Sequence, residues 1–252
     1  MRRIKRRLGT SLRTARWATP EAAKPTIELP SQVSDCELRW PAPGQLRVRR
    51  IISRSRAIAT GKYPSLKLRR WIHWESKVER DGQRLVDVAP HVTSFGEQPV
   101  AISYGHDGFI LNHIPDLLIR FAEGLPWLVE FKDDDDPELE FAGLRARLLE
   151  APLESLGFRY LLAVRSKLRR EAHVANAIWL RRNGRRAVDV VRWETARRCF
   201  AQFGSMTLRE FCAVGESEIE ATRVAAALIL SGDVRMDMAE PVGPETLLFW
   251  CE

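Results

Sequence analysis

Residues 115–132, PDLLIRFAEGLPWLVEFK, place two apolar runs on either side of a Gly-Leu-Pro break. Runs of this length, rich in Leu, Ile, Val, Phe and Trp and bounded by turn residues, read as two adjacent strands of a buried sheet. What such a sheet should not carry is charge. Yet Asp116 opens the first run, and Glu130 and Lys132 lie in the second. Glu130 and Lys132 are two residues apart and so point to one face of their strand, while Phe131 points to the other.

The surrounding sequence supplies the rest of a layered fold. Trp71, Trp74, Val78 and Leu85 recur near helical spacing and predict a helix over 73–87, which Gly82 weakens. HVTSFGEQPVAISY reads as strands with a Gly and a Pro break, and Gly105-His106-Asp107-Gly108 as a hairpin turn. FILNHIPDLLIRF and LPWLVEFK are the next two strands. PELEFAGLRARLLEAPLESLG follows as a helix and FRYLLAV as a buried strand. A helix and then an apolar strand after a hairpin give an α/β class, a mixed sheet flanked by helices. Beyond residue 165, REAHVANAIWLRRNG, VRWETARRCFAQFG and MTLREFCAVGESEIEATRVAAALILSG are helical. DVRMDMAEPVGPETLLFWCE closes the chain with two short strands, the order of a winged helix-turn-helix.

Charge separates the ends of the chain. Residues 1–80 hold 20 Lys and Arg against 6 Asp and Glu, and residues 81–252 hold 20 against 27. The basic part has two clusters, Arg2–Arg7 and Arg47–Arg56, and points to a polyanion partner, with nucleic acid favoured over a solubilising tail. Residues 1 to about 45 lack a clear period and read as an extended arm. No apolar run approaches the roughly 18–20 residues of a membrane span. The N-terminus has no apolar core of a secretory signal, and its arginines run far past the length of a mitochondrial presequence. Cys36, Cys199, Cys212 and Cys251 form no CxxC pair or zinc pattern, which fits a reduced, cytoplasmic protein.

Two carboxylates and a backbone carbonyl at one end of a sheet can hold a hard divalent cation, which prefers oxygen ligands. A nearby lysine can orient water and steady charge on a phosphate. Asp116, Glu130 and Lys132 would then serve metal-assisted phosphodiester hydrolysis. Glu75 and Glu79, four apart on one helix face, could each add a further acid. From spacing alone the same residues also fit solvated strand ends. Asp133–Asp136 reads as a solvated turn, Glu97 and Gln98 as structural, and His73 and His113 as packed or hydrogen-bonded.

The pieces GKYPSLK, WESKVERD, VTSFGEQP, PDLLIR and VEFK, in this order, resemble the TnsA-type endonuclease subunit of heteromeric transposases over about residues 54–165. The resemblance implies a restriction-endonuclease-like core of the PD-(D/E)xK type. Activity would be that of an Mg²⁺- or Mn²⁺-dependent DNA endonuclease cutting at transposon 5′ ends, with a TnsB-type DDE transposase joining the 3′ ends. Carried over, Glu79 is the helix glutamate, Asp116 the metal-binding aspartate, Glu130 the residue at the family's Glu/Gln position, and Lys132 the lysine. Glu79, Asp116 and Glu130 would bind the metal, and Glu75 is a lesser member. The implied organisation is a basic arm over 1–53, a nuclease domain over 54–165 and a winged-helix-like domain over 166–252. The last would contact the transposase and a TnsC-type AAA+ regulator. Arg47, Arg49, Arg50, Arg54, Arg56 and Lys62 are the expected contacts to double-stranded DNA. A free-standing nuclease and a non-catalytic DNA-binding adaptor are the alternatives.

Overall fold

The computed structural model describes residues 36–49, 60–169, 172–215 and 217–251. In chain order, β1 (Cys36–Arg39), β2 (Gly61–Pro64) and β3 (Trp71–Trp74) precede helix α1 (Lys77–Val88). Five strands follow: β4 (Val92–Glu97), β5 (Ala101–His106), β6 (Phe109–His113), β7 (Leu117–Phe121) and β8 (Trp127–Lys132). Then come α2 (Leu139–Ser155), β9 (Arg159–Val164) and the single turn α3 (Arg165–Leu168). The remaining elements are α4 (His173–Asn183), α5 (Val190–Phe203), β10 (Ser205–Thr207), α6 (Leu208–Val214), α7 (Glu218–Ser231), β11 (Val234–Met236) and β12 (Leu247–Trp250).

The result is a mixed α/β protein with several small sheets and one mixed four-stranded sheet, order β4-β7-β8-β9. The apolar runs of the opening segment are its two central strands. β7 and β8 pair antiparallel, with Leu117 opposite Val129, and β9 returns parallel to β8 through the crossover helix α2. Side-chain alternation sends Leu117, Ile119, Val129 and Phe131 into a core with Val78 of α1 and Ile72 of β3. Leu118 and Leu128 face the other way, onto Leu144, Leu148, Leu149 and Leu153 of α2. The sheet is thus covered on both faces, which is why β7 and β8 read as nearly unbroken apolar runs.

Three expectations change. The helix expected over 73–87 begins at Lys77, because Ser76 is its N-cap and accepts from Glu79 N at 3.0 Å. Trp71 and Trp74 belong instead to β3, paired with β2. The single strand expected over FILNHIPDLLIRF is two strands in two sheets. β6 pairs with β5, whereas β7 joins the central sheet. Pro115 has no N–H for a ladder and forces Ile114 to be extended, so the chain changes sheets there. Finally, Cys36–Arg39, within the expected arm, forms β1 and pairs with β5. The hairpin turn between β5 and β6 does lie at Asp107-Gly108, both at positive φ.

Helices α4–α7 and the antiparallel sheet β10-β12-β11 surround a further core that includes Leu180, Phe200, Phe211, Leu228 and Leu248. Val88, at the end of α1, belongs to this core too. Among the described residues, no helix is long and apolar enough to cross a membrane. The Arg2–Arg7 cluster and Arg50, Arg54 and Arg56 lie outside the described residues.

Candidate active site

Asp116 sits just before β7, held by its backbone on both sides. Its N–H donates to Val129 O (2.9 Å), and its carbonyl accepts from Gln98 N (2.9 Å). Its Oδ2 accepts from Phe131 N (2.7 Å), which ties the carboxylate to the Glu130–Lys132 strand. Burial raises its pKa well above the ordinary carboxylate range. The charge of Glu79 adds to this, as does Glu130, against the Phe131 N–H and Lys132.

Glu79 comes from α1 on the sheet's opposite side from α2. The capped first turn turns its carboxylate back toward the helix start, where Oε2 accepts from Glu75 N (3.0 Å). It is only 8% exposed. Burial, with the Glu75 charge, pushes its pKa up to about 7, although the Glu75 N–H, Ser76 and Arg49 act against the rise. The Glu79 charge therefore raises the proton affinity of Asp116 on a neighbouring element, as Glu75 raises that of Glu79, the signature of a place short of positive charge.

Glu130 is in a different state. Its side chain emerges on the α2 side of β8, where Arg145 grips it with Nε at 3.0 Å from Oε2 and Nη2 at 2.5 Å from Oε1. Tyr160 Oη donates to Oε2 at 2.6 Å. Burial works to raise its pKa, but His113, the Arg145 fork and Tyr160 together hold it below its ordinary value. Burial drives His113 itself down to about 3, so its ring is neutral at pH 7. His113 Nε2 lies 2.8 Å from Tyr160 Oη. Because the hydroxyl's one proton goes to Glu130, the ring must donate, which assigns the Nε2–H tautomer. Arg145 and Tyr160 were missed in the sequence. The signal for Arg145 was its position on the same helical stripe as Ala142, Leu148 and Leu149, where an arginine needs a buried partner.

Lys132 Nζ reaches Glu138 (3.1 Å), Asp136 (3.3 Å) and Glu130 (3.9 Å). Burial favours its neutral form, yet Glu138, Asp136 and Glu130 outweigh it and hold the pKa above the ordinary value. Lys132 is therefore a fixed cation and not a base. Asp136 belongs to the acidic turn after β8, and Asp133 and Asp134 of the same turn pair with Arg165.

The basic candidates flank this site. Arg49 pairs with Glu75, and Arg47 lies 4.0 Å from Glu97, which is gripped in turn by the Arg70 fork at 2.9 and 2.7 Å. Lys62 lies over the Trp71 ring at 5.3 Å. Glu75 also accepts from Gln98 Nε2 at 3.0 Å.

As donors for a metal, Glu79 and Asp116 offer only oxygen, which suits a hard cation such as Mg²⁺ or Mn²⁺ and not a thiophilic one. Their raised proton affinities suit the binding of a divalent cation. Among the described residues, no three His, Cys, Asp or Glu side chains converge to hold a metal ion by themselves. Glu130 is already balanced by Arg145. No protein-family model matches the chain, and no curated protein matches it.

Proposed function

We propose that this chain is a metal-dependent DNA endonuclease of the TnsA type, working as the 5′-end-cutting subunit of a heteromeric transposase. The observation that carries the proposal is the buried Glu79–Asp116 pair at the end of β7–β8, with the fixed cation of Lys132 on the adjoining strand. A mixed sheet flanked by α1 and α2 is the layering that a PD-(D/E)xK core requires, and α5–α7 with β10-β12-β11 support a winged-helix-like C-terminal module. When bound, Mg²⁺ or Mn²⁺ would polarise a phosphoryl oxygen and lower the pKa of a water. Glu79 and Asp116 would hold it. Lys132, kept protonated, would balance charge on the scissile phosphate. Arg145 and Tyr160 fix Glu130 so that Lys132 keeps its anionic neighbour. Arg47, Arg49 and Lys62 would meet the DNA backbone, with the DDE transposase and AAA+ regulator as protein partners.

The test is nicking of a plasmid carrying transposon ends, with and without the partner transposase. Cleavage is expected from wild type with Mg²⁺ or Mn²⁺ and the partner, and none from Asp116→Ala, whose DNA binding is kept. Cleavage by wild type alone would instead make it a free-standing nuclease. The balanced Glu130–Arg145 pair favours a second reading, a non-catalytic DNA-binding adaptor. DNA binding without cleavage in every mixture would support that reading and sink the first.

A further inference from the structure

Gln98 stands at the end of β4, between Glu97 and Pro99. Its φ of +46° lies in the left-handed region, which a residue with a Cβ keeps only where its surroundings dictate it. Here they do. Its N–H donates to Asp116 O (2.9 Å), and its carbonyl accepts from Val48 N (3.1 Å). Its side-chain Nε2 donates to Glu75 Oε2 (3.0 Å), and Glu75 N in turn donates to Glu79 Oε2 (3.0 Å). The residue is therefore tied by its backbone to Asp116 and through Glu75 to Glu79. Gln98 is 2% exposed, and its Oε1 is buried with no hydrogen-bond partner among the described residues. Turning the amide over would set that oxygen against the Glu75 carboxylate, so Nε2 stays on Glu75 and Oε1 stays unanswered. Buried carbonyl oxygens are rarely left this way, and this one belongs to the residue that links Asp116 to Glu75 and Glu79.

We propose that Gln98 Oε1 is a neutral third oxygen donor to a cation held by Glu79 and Asp116. The proposal rests on the metal-dependent reading of the site and goes further by fixing the number and character of its donors. Two carboxylates match the charge of one divalent cation, and an amide oxygen adds a donor without a third negative charge. Mg²⁺ and Ca²⁺ accept such oxygens readily. Glu130, committed to Arg145 and Tyr160, is not needed in this shell.

The experiment is calorimetric titration of Mn²⁺ into the full chain as wild type, Asp116→Asn, Gln98→Met and Gln98→Glu, each checked for folding by circular dichroism. Wild type should bind, and Asp116→Asn should abolish binding. Gln98→Met, of similar length but without the oxygen, should weaken binding by about 10- to 100-fold. Gln98→Glu restores an oxygen but sets its second one against Glu75, so it should bind more tightly than Gln98→Met and more weakly than wild type. Wild-type affinity in Gln98→Met overturns the proposal while leaving the metal reading intact. Binding that survives Asp116→Asn, or no binding by wild type, removes the metal reading and this proposal with it. A second measurement needs no variant. Substoichiometric Mn²⁺ should broaden the Gln98 side-chain amide resonance of wild type along with the Phe131 backbone amide. Broadening of Phe131 with the Gln98 amide unchanged would also overturn the proposal.

Discussion

At the scale of single residues, the site is defined by which charges are answered. Glu130 has the Arg145 fork, whereas the Glu79 and Asp116 carboxylates accept from the backbone N–H groups of Glu75 and Phe131. This has a pH consequence whose sign is fixed. Glu79 and Asp116 bind protons more tightly folded than unfolded, so their contribution to stability is full below the unfolded carboxylate range. It is lost as pH rises through about 7 for Glu79, and the raised Asp116 acts in the same direction. His113, lowered to about 3, acts oppositely, but mainly below the ordinary imidazole range of about 6.5. Between about pH 6.5 and 8 the acids' effect outweighs what remains of the His113 effect. Thermal melts should show stability falling across that interval by roughly 1 kcal/mol from Glu79 alone. Glu79→Gln should flatten the slope, and a rise with pH would contradict the assignment. Arg145 offers a second test. Arg145→Ala leaves Glu130 buried without its cation and should cost about 3–5 kcal/mol in denaturant unfolding. Arg145→Met combined with Glu130→Gln should cost much less than the sum of the single changes. The four acid and lysine positions were legible because each lies in a short motif. Arg145 was not, since its partner is 15 residues away and meets it only when α2 lies on the sheet.

At the scale of elements, the strands were more legible than their grouping. The β7–β8 hairpin follows from composition and a turn, both local. That β6 and β7 belong to different sheets depends on which edges are free to pair, which no local pattern records. The helix start was misplaced because tryptophans three apart satisfy a helical period as well as a hairpin. Ser76, the cap, was the deciding residue. Gly82 shows the opposite case, a local weakness with a reason in packing. A Cβ at this position would come within 2.2 Å of the Phe131 ring, so α1 can lie on β8 only without one. Gly82→Ala should gain about 1 kcal/mol of helix propensity. It should lose more to overpacking, about 1–3 kcal/mol, because Phe131 is buried and cannot swing clear. Since α1 carries Glu79 and β8 carries Glu130 and Lys132, the variant should also lower the proposed nicking activity at temperatures where it remains folded. A Gly82→Ala protein more stable than wild type in urea would show that α1 shifts easily, and that its distance from β8 is not set here.

At the scale of the whole molecule, α1 is the shared beam. Its start packs Val78 into the sheet core, and its end packs Val88 into the core of the C-terminal helices. Charge follows the same path. Asp87, nearly fully buried, accepts from Ser65 Oγ, Leu66 N and Lys67 N on one side and pairs with Arg181 of α4 on the other. Arg181 also donates to Pro64 O (2.6 Å) and lies over the Tyr63 ring at 4.4 Å. Asp81, equally buried, pairs with Arg169 as well as with Arg80 and Arg84. A chain cut after Val164 would therefore lose Arg169 and Arg181 and leave Val88 without most of its core. Buried Asp87 would lose its cation, a loss worth about 3–5 kcal/mol and so much of a typical domain's stability, while Asp81 would keep only Arg80 and Arg84. The expected result is that residues 1–164, produced alone, give a poorly dispersed amide spectrum and a broad melt. The full chain should unfold in one transition that is the same by circular dichroism and by tryptophan fluorescence. A well-dispersed spectrum from the fragment would mean that the sheet core and Glu79 are set without the C-terminal helices. The alternative, a site lost together with those helices, would make any partner that grips them a partner that also acts on Glu79, through α1.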